Sequence, residues 1–208
     1  MQIFLKLYFR ASRLGTEQIP QTGAAIIASN HRSFFDPFVI GTMSRRPIYY
    51  VAKIELFRNP VLAWFLSALG AFPLERGVGD RDAIRTAEQL LARGELVLIF
   101  PEGTRTRPGP LGHPKRGVGR LALESGAPVI PLAINGTEDI RSGILLRPRK
   151  IRVVAGSPLE LTREEPSSPE LAESVTAEVW QAVSALWESL GGAPGVHDHE
   201  QPELASVA

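Results

Sequence analysis

Short apolar runs alternating with stretches of helical spacing leave this chain few architectures to choose from. Ala24–Ala28, Leu96–Phe100 and Val129–Ile134 carry no charge, as expected of strands buried on both faces. Pro47–Ala52, rich in Ile, Tyr and Val, the short Ala71–Leu74, and Ile151–Ala155 complete the expected strands. Helices are predicted over Pro37–Ser44, Pro60–Leu69, Asp80–Ala92, Gly117–Glu124 and Pro169–Leu190, with Gly94 and Gly126 as stops. The last carries Leu171, Val175, Val179, Val183 and Leu186 along one stripe. Strands separated by helices require crossover connections. The prediction is therefore α/β: a single domain with a central, mostly parallel sheet flanked by helices. Pro131, inside an otherwise buried strand, removes a ladder donor and predicts a sheet edge or an irregularity near a pocket.

At 208 residues and 44% hydrophobic content, the chain is long enough for one substantial core. A net charge of +1 argues against a nucleic-acid binder. With no cysteine there is neither a disulfide framework nor a thiolate metal site, which fits a reducing compartment. His197 and His199 stand in a Gly-, Pro- and acid-containing tail from Gly191 onward that lacks periodicity, so neither order nor a metal site is expected there. Asn135-Gly136-Thr137 matches a glycosylation sequon and is read as a turn.

No apolar run approaches the roughly 20 residues that span a bilayer. In Met1–Leu14, however, Lys6, Arg10 and Arg13 share one helical face, while Ile3, Phe4, Leu7, Tyr8, Ala11 and Leu14 cover much of the rest. A short basic amphipathic helix over 1–14 is predicted, lying in a membrane interface or packed on the domain. Pro60–Phe72 reads as apolar nearly all round, hence buried or in lipid. Two such segments predict a peripheral membrane protein, placed at the cytoplasmic face. The expected organisation is helix 1–14, domain 15–190 and tail 191–208.

Chemistry concentrates in Asn30-His31-Arg32-Ser33-Phe34-Phe35-Asp36-Pro37. Proline disfavours α geometry at the residue before it, so Asp36 is expected as an N-cap and Pro37 in the first helical turn. His31 then lies in the loop between strand and helix. A carboxylate accepting one imidazole N–H fixes the tautomer and leaves the other nitrogen basic, which makes a general base for a hydroxyl. On spacing alone, Asp36 as a simple cap and His31 as a loop histidine fit equally well.

Phe100-Pro101-Glu102-Gly103-Thr104-Arg105-Thr106 follows a predicted strand, where ligands bind in open α/β sheets. Gly103 lets backbone approach a ligand, and Thr104 and Arg105 add donors for an anion. Gly70-Ala71-Phe72-Pro73-Leu74-Glu75-Arg76 ends another strand with an arginine, and Lys53 ends a third. Taken singly, Arg76 and Lys53 read more readily as solvated side chains, and Glu102–Arg105 could be a polar turn.

These blocks together resemble the PlsC-like acyltransferases: 1-acylglycerol-3-phosphate acyltransferases and their glycerolipid relatives. That family is marked by Asn-His-x4-Asp, Gly-x-Phe-x-x-x-Arg, Phe-Pro-Glu-Gly-Thr-Arg and Val-x-Pro blocks, which stand here, in order, at Asn30–Asp36, Gly70–Arg76, Phe100–Arg105 and Val129–Pro131. The resemblance covers about residues 15 to 160. The family's frequent N-terminal membrane span has no counterpart in this sequence, so attachment is expected through the basic helix instead.

The resemblance implies transfer of a fatty acyl chain from acyl-CoA or acyl carrier protein to a lysophospholipid. The expected acceptor is 1-acyl-sn-glycerol-3-phosphate, giving phosphatidic acid; glycerol-3-phosphate, another lysophospholipid or a glycolipid is the alternative. His31 and Asp36 are the expected catalytic pair. Lys53, Arg76, Gly103, Thr104 and Arg105 are the expected substrate-binding set, with Glu102 holding the loop or an arginine. Lys115, just before a helix N-terminus, is expected to reach the phosphate. The thioester is already activated, so neither a cofactor nor a metal is required. A serine hydrolase using Ser29 or Ser33 is disfavoured by the missing Gly-x-Ser-x-Gly elbow. A non-catalytic lipid- or phosphate-binding module would have no use for an oriented base.

Overall fold

The computed structural model describes residues 7–68, 70–74, 80–106, 109–138, 140–142 and 145–193. Seven strands form one sheet: β1 (Ser12–Leu14), β2 (Ala25–Ser29), β3 (Ile48–Lys53), β4 (Ala71–Leu74), β5 (Leu96–Ile99), β6 (Val129–Asn135) and β9 (Arg152–Ala155). Their spatial order is β1-β9-β6-β2-β5-β3-β4. From β6 to β4 all neighbours are parallel; β9 runs antiparallel to β6, and β1 follows β9 in parallel. A small hairpin, β7 (Arg141–Ser142) and β8 (Leu145–Leu146), stands apart. The helices are α1 (Asp36–Ile40), α2 (Pro60–Ala68), α3 (Asp80–Ala92), α4 (Gly117–Ser125) and α5 (Pro169–Ser189).

The charge-free runs are strands because both of their faces are covered. Ala25, Ile27, Leu96, Leu98, Ile130 and Leu132 join Val39 and Ile40 of α1 and Leu66 of α2 in one core layer. Ile26, Ala28, Val97, Val129 and Ala133 point the other way and meet α3, α4 and α5. Truncating one of these fully buried aliphatic side chains to alanine costs about 2–5 kcal/mol. Helix α5 starts where Ser168 accepts the Leu171 N–H at 3.1 Å and Pro169 occupies the first turn.

Three expectations are corrected. Helical structure in the described N-terminal residues ends at Tyr8; Phe9 enters the core, and Ser12–Leu14 pair with Arg152–Val154 as an edge strand. Backbone pairing with β9 outweighs the helical spacing of the basic side chains. Arg13 uses its guanidinium on the Thr42 carbonyl instead of presenting it on a helical face. Secondly, β6 is interior, not an edge. Val129 N–H and the Pro131 carbonyl both face the β9 side, bonding Leu159 and Gly156 respectively, so the missing proline N–H falls where β9 has already ended. Thirdly, residues 191–193, expected in the tail, stay tied to the domain: Ala193 accepts the Trp187 indole N–H at 2.9 Å. Residues 1–6 and 194–208, including His197 and His199, lie outside the described residues.

Helix α2 buries Leu66 yet leaves Val61 74% and Trp64 73% exposed. Among the described residues no helix is long and apolar enough to cross a membrane, and no cluster of His, Asp or Glu is suited to hold a metal.

The topology itself makes a crevice. From β2 the chain leaves through α1, on one face of the sheet, and crosses to β3; from the adjacent β5 it leaves through α4, on the other face, and crosses to β6. Neighbouring strands whose connections depart in opposite directions open a cleft at their carboxyl ends. The segments after β2 and β5 are the two richest in chemistry.

Candidate active site

Past the last ladder pair of β2, Ser29 with Leu132, the Asn30 side chain continues the sheet in place of backbone. Its Nδ2 donates to the Ile134 carbonyl at 2.9 Å, and its Oδ1 accepts the Ile134 N–H at 2.9 Å. The main chain is thereby released from the sheet at the next residue, His31.

His31 Nδ1 lies 2.9 Å from Asp36 Oδ2. The same oxygen accepts the backbone N–H groups of Arg32 at 2.6 Å and Ser33 at 2.7 Å. Oδ1 accepts the Thr137 hydroxyl at 2.5 Å. Asp36 is fully buried. It is not the N-cap expected from its place before proline: Phe35 holds that position, and Asp36 is the first helical residue. Its carboxylate turns back to collect the loop's N–H groups because a buried charge needs donors more than the short α1 needs a side-chain cap.

The imidazole is fixed from a second direction. It stacks on Phe100, with ring centroids 4.0 Å apart and planes inclined by 16°. The ring is 18% exposed, so with Nδ1 committed to Asp36, Nε2 is the nitrogen available to a substrate proton.

The segment after β5 locks onto His31 through its backbone. Glu102, also buried, accepts the His31 N–H on Oε2 at 2.7 Å and the Gly112 N–H on Oε1 at 2.9 Å. The Thr106 hydroxyl lies 3.1 Å from Glu102 Oε1, and the Thr106 N–H donates to the His31 carbonyl at 2.9 Å. Of the two expected roles for Glu102, the geometry has it gripping loops.

Gly103 sits at φ +67°, where side chains are strained, and a Cβ there would stand 3.0 Å from Lys115 Nζ. Glycine thus lets the turn form and lets the lysine lie across it. Lys115 is anchored by its N–H to the Pro101 carbonyl at 2.8 Å, and it is exposed together with Thr104 and Arg105. Lys53 is the final residue of β3, at the same end of the sheet; its side chain lies outside what is described. Arg76 lies outside the described residues altogether.

Arg32 turns away from the cleft. Its Nη2 donates to the Gly109 and Pro110 carbonyls at 2.5 and 3.1 Å, and its guanidinium carbon stands 4.7 Å from the centroid of the Trp187 ring. Phe100, Thr106, Gly112 and Thr137 are the contributors that sequence reading does not assign. For Thr137 the available signal was position: it closely follows a strand that borders β2, at the carboxyl end of the sheet.

The family model described as Acyltransferase matches residues 12–135. A 1-acyl-sn-glycerol-3-phosphate acyltransferase of Bacillus subtilis is 33% identical over 161 residues, covering 76% of this chain and 78% of that protein. A chloroplastic 1-acyl-sn-glycerol-3-phosphate acyltransferase of Brassica napus is 30% identical over 158 residues, covering 73% of this chain but 46% of its own length. The chain therefore spans less than half of that longer relative. Among solved structures, the 1-acyl-sn-glycerophosphate acyltransferase PlsC of Thermotoga maritima matches with a TM-score of 0.69 at 28% identity, covering 89% of this chain and 75% of that one.

Proposed function

Because the chain belongs to the acyltransferase family, we propose that it moves a fatty acyl chain from a thioester to the free hydroxyl of 1-acyl-sn-glycerol-3-phosphate, forming phosphatidic acid for phospholipid synthesis. The observation that carries this reading is the imidazole held by Asp36 through Nδ1 at 2.9 Å, on the loop that leaves the carboxyl end of β2 beside β5. The acceptor hydroxyl is the nucleophile. His31 Nε2 takes its proton as the oxygen attacks the thioester carbonyl, and Asp36 stabilises the imidazolium. The tetrahedral adduct collapses by breaking the carbon–sulfur bond, and the imidazolium returns the proton to the departing thiolate. A base positioned in this way is worth about 10²–10⁴ in rate. No nucleophilic side chain is needed.

The acceptor phosphate requires cations beside the base. Lys115 over Gly103, with Thr104 and Arg105 on the same turn, forms the exposed rim we assign to it, joined in the proposal by Lys53 and Arg76. Coenzyme A or acyl carrier protein is the proposed thioester carrier. The exposed Val61 and Trp64 of α2 support a peripheral position on a membrane surface, at its cytoplasmic face, where a lysophospholipid is available.

The test is acyl transfer from a palmitoyl thioester, offered on each carrier, to a panel of lysophospholipids and glycerol-3-phosphate, read by mass spectrometry. Wild type should give phosphatidic acid from the lysophosphatidate, and His31→Ala should give none above background while still binding the acceptor. Product from another acceptor alone would reassign the substrate. Normal turnover in His31→Ala would refute the base.

A further inference from the structure

Resting on that reading, we propose that Thr137 is a positioning residue for the catalytic base: its hydroxyl fixes the plane of the Asp36 carboxylate, and so the aim of His31.

Of the four donors on Asp36, three converge on Oδ2: His31 Nδ1, Arg32 N–H and Ser33 N–H. All three come from the same short loop, within five residues of Asp36 in sequence. They move with that loop and leave the second oxygen unreferenced. Among the described residues Oδ1 is held by Thr137 alone, across 101 residues of sequence and from the far side of β2. Both residues are fully buried. An ionised carboxylate only accepts, so the hydroxyl proton must lie toward Oδ1. Turning about Cβ–Cγ moves both oxygens together, so a donor on Oδ1 from a second element adds a restraint on the carboxylate plane that the loop's own donors, which move with it, do not supply. The imidazole hydrogen-bonded to that plane inherits its orientation.

The chain around Thr137 is built to deliver it. Asn30 clamps Ile134 in two directions, tying the end of β6 to the end of β2. Gly136 then reverses the backbone at φ +92°, and a Cβ at that position would collide with the Lys150 carbonyl. Its N–H is accepted by Glu138 Oε2 at 3.0 Å. The segment therefore supplies a hydroxyl at one fixed point, and Thr137 itself, fully buried, offers a substrate no surface.

The test compares Thr137→Val, which keeps shape and loses the hydroxyl, with Thr137→Ala and Thr137→Ser. In Thr137→Val, kcat should fall about 10- to 100-fold while KM for both substrates stays within about threefold, since misaimed groups lose rate before they lose binding. Thr137→Ser should recover kcat to within about threefold of wild type. A readout independent of turnover is the His31 Nδ1 proton in ¹⁵N-edited spectra: its exchange with water should quicken about tenfold in Thr137→Val and return in Thr137→Ser. Wild-type kcat and exchange in Thr137→Val would overturn the proposal. So would failure of Thr137→Val and Thr137→Ala to fold at all, because the hydroxyl would then be a folding tether. A wild type that transfers no acyl group would sink the acyltransferase reading instead, and the exchange measurement would still decide the role of Thr137.

Discussion

The carboxyl end of β2 and the flank formed by β3 and α2 bury polar groups under opposite conditions. At the first, Asp36 is met by four donors, Glu102 by two backbone N–H groups with a hydroxyl in reach, and Asn30 completes two bonds to Ile134. At the second, Tyr50 is buried in the core layer that also holds Val39, Ile40, Met43 and Leu66, and its Oη has no hydrogen-bond partner among the described residues. Burial alone pushes its phenol up to about 12. Low dielectric strengthens satisfied hydrogen bonds and penalises unsatisfied groups, so it rigidifies the first region and only taxes the second. The first is over-determined enough to aim a proton acceptor; the second is apolar inside and, at Trp64 and Val61, apolar outside as well.

The largest effect that could break this contrast is Asp36→Asn. The amide keeps the volume but loses the charge, and it can turn an NH2 group toward the Arg32 and Ser33 N–H groups. We expect kcat to fall about 10²–10⁴-fold, with acceptor KM within about threefold, in initial-rate assays on protein whose fold is checked by circular dichroism. If kcat drops less than about tenfold, the dense polar centre is scaffolding and not proton machinery.

How far the sequence revealed this contrast depends on the range of the interactions. Ala71–Leu74 and Asp80–Ala92 appear over the bounds that periodicity predicts, and Asp80–Ala92 shows why: helical spacing and the stop at Gly94 are local signals. The chain also has the expected mostly parallel sheet with helices on both faces. The His31–Asp36 contact was legible because the two residues stand only five positions apart. What was not legible is what closes over long separations. Ser12–Leu14 looks helical until β9, some 140 residues on, offers it a partner. Thr137 looks like part of a turn until β6 is placed beside β2. Pro131 left a sheet edge and an irregularity near a pocket both open, because nothing local says that the neighbouring strand ends just before it.

On the flank, the outer face of α2 sharpens the comparison. Val61 and Trp64 are each almost three-quarters exposed, so replacing both by serine should shift Tm by no more than about 2 °C. Kinetics with a short-chain, water-soluble acceptor should not change, since neither residue belongs to the polar centre. Co-sedimentation with vesicles containing anionic lipid should weaken about tenfold or more, because each side chain offers roughly 1.5–3 kcal/mol on leaving water. Unchanged co-sedimentation removes α2 from the proposed membrane contact.

The smallest expected effect tests the flank's interior. Tyr50→Phe deletes a hydroxyl that gains nothing from the fold, so at neutral pH stability should stay level or rise by up to about 1 kcal/mol in denaturant titration. The pH dependence is more telling. Below the ordinary phenol value of 10.0 both the folded and unfolded chains hold this proton, and the group contributes no slope. Between 10.0 and about 12 the unfolded chain releases it while the folded chain retains it, so fewer protons are bound in the unfolded state and stability falls as pH rises. The difference between wild type and Tyr50→Phe should therefore widen over that window, toward an order of 2–3 kcal/mol. It cancels the other titrating groups, which the two proteins share. A loss of more than about 1 kcal/mol in Tyr50→Phe at neutral pH would mean that the hydroxyl is bonded in solution. The flank would then bury polar atoms by the same rule as the centre, and the contrast between the two regions would dissolve.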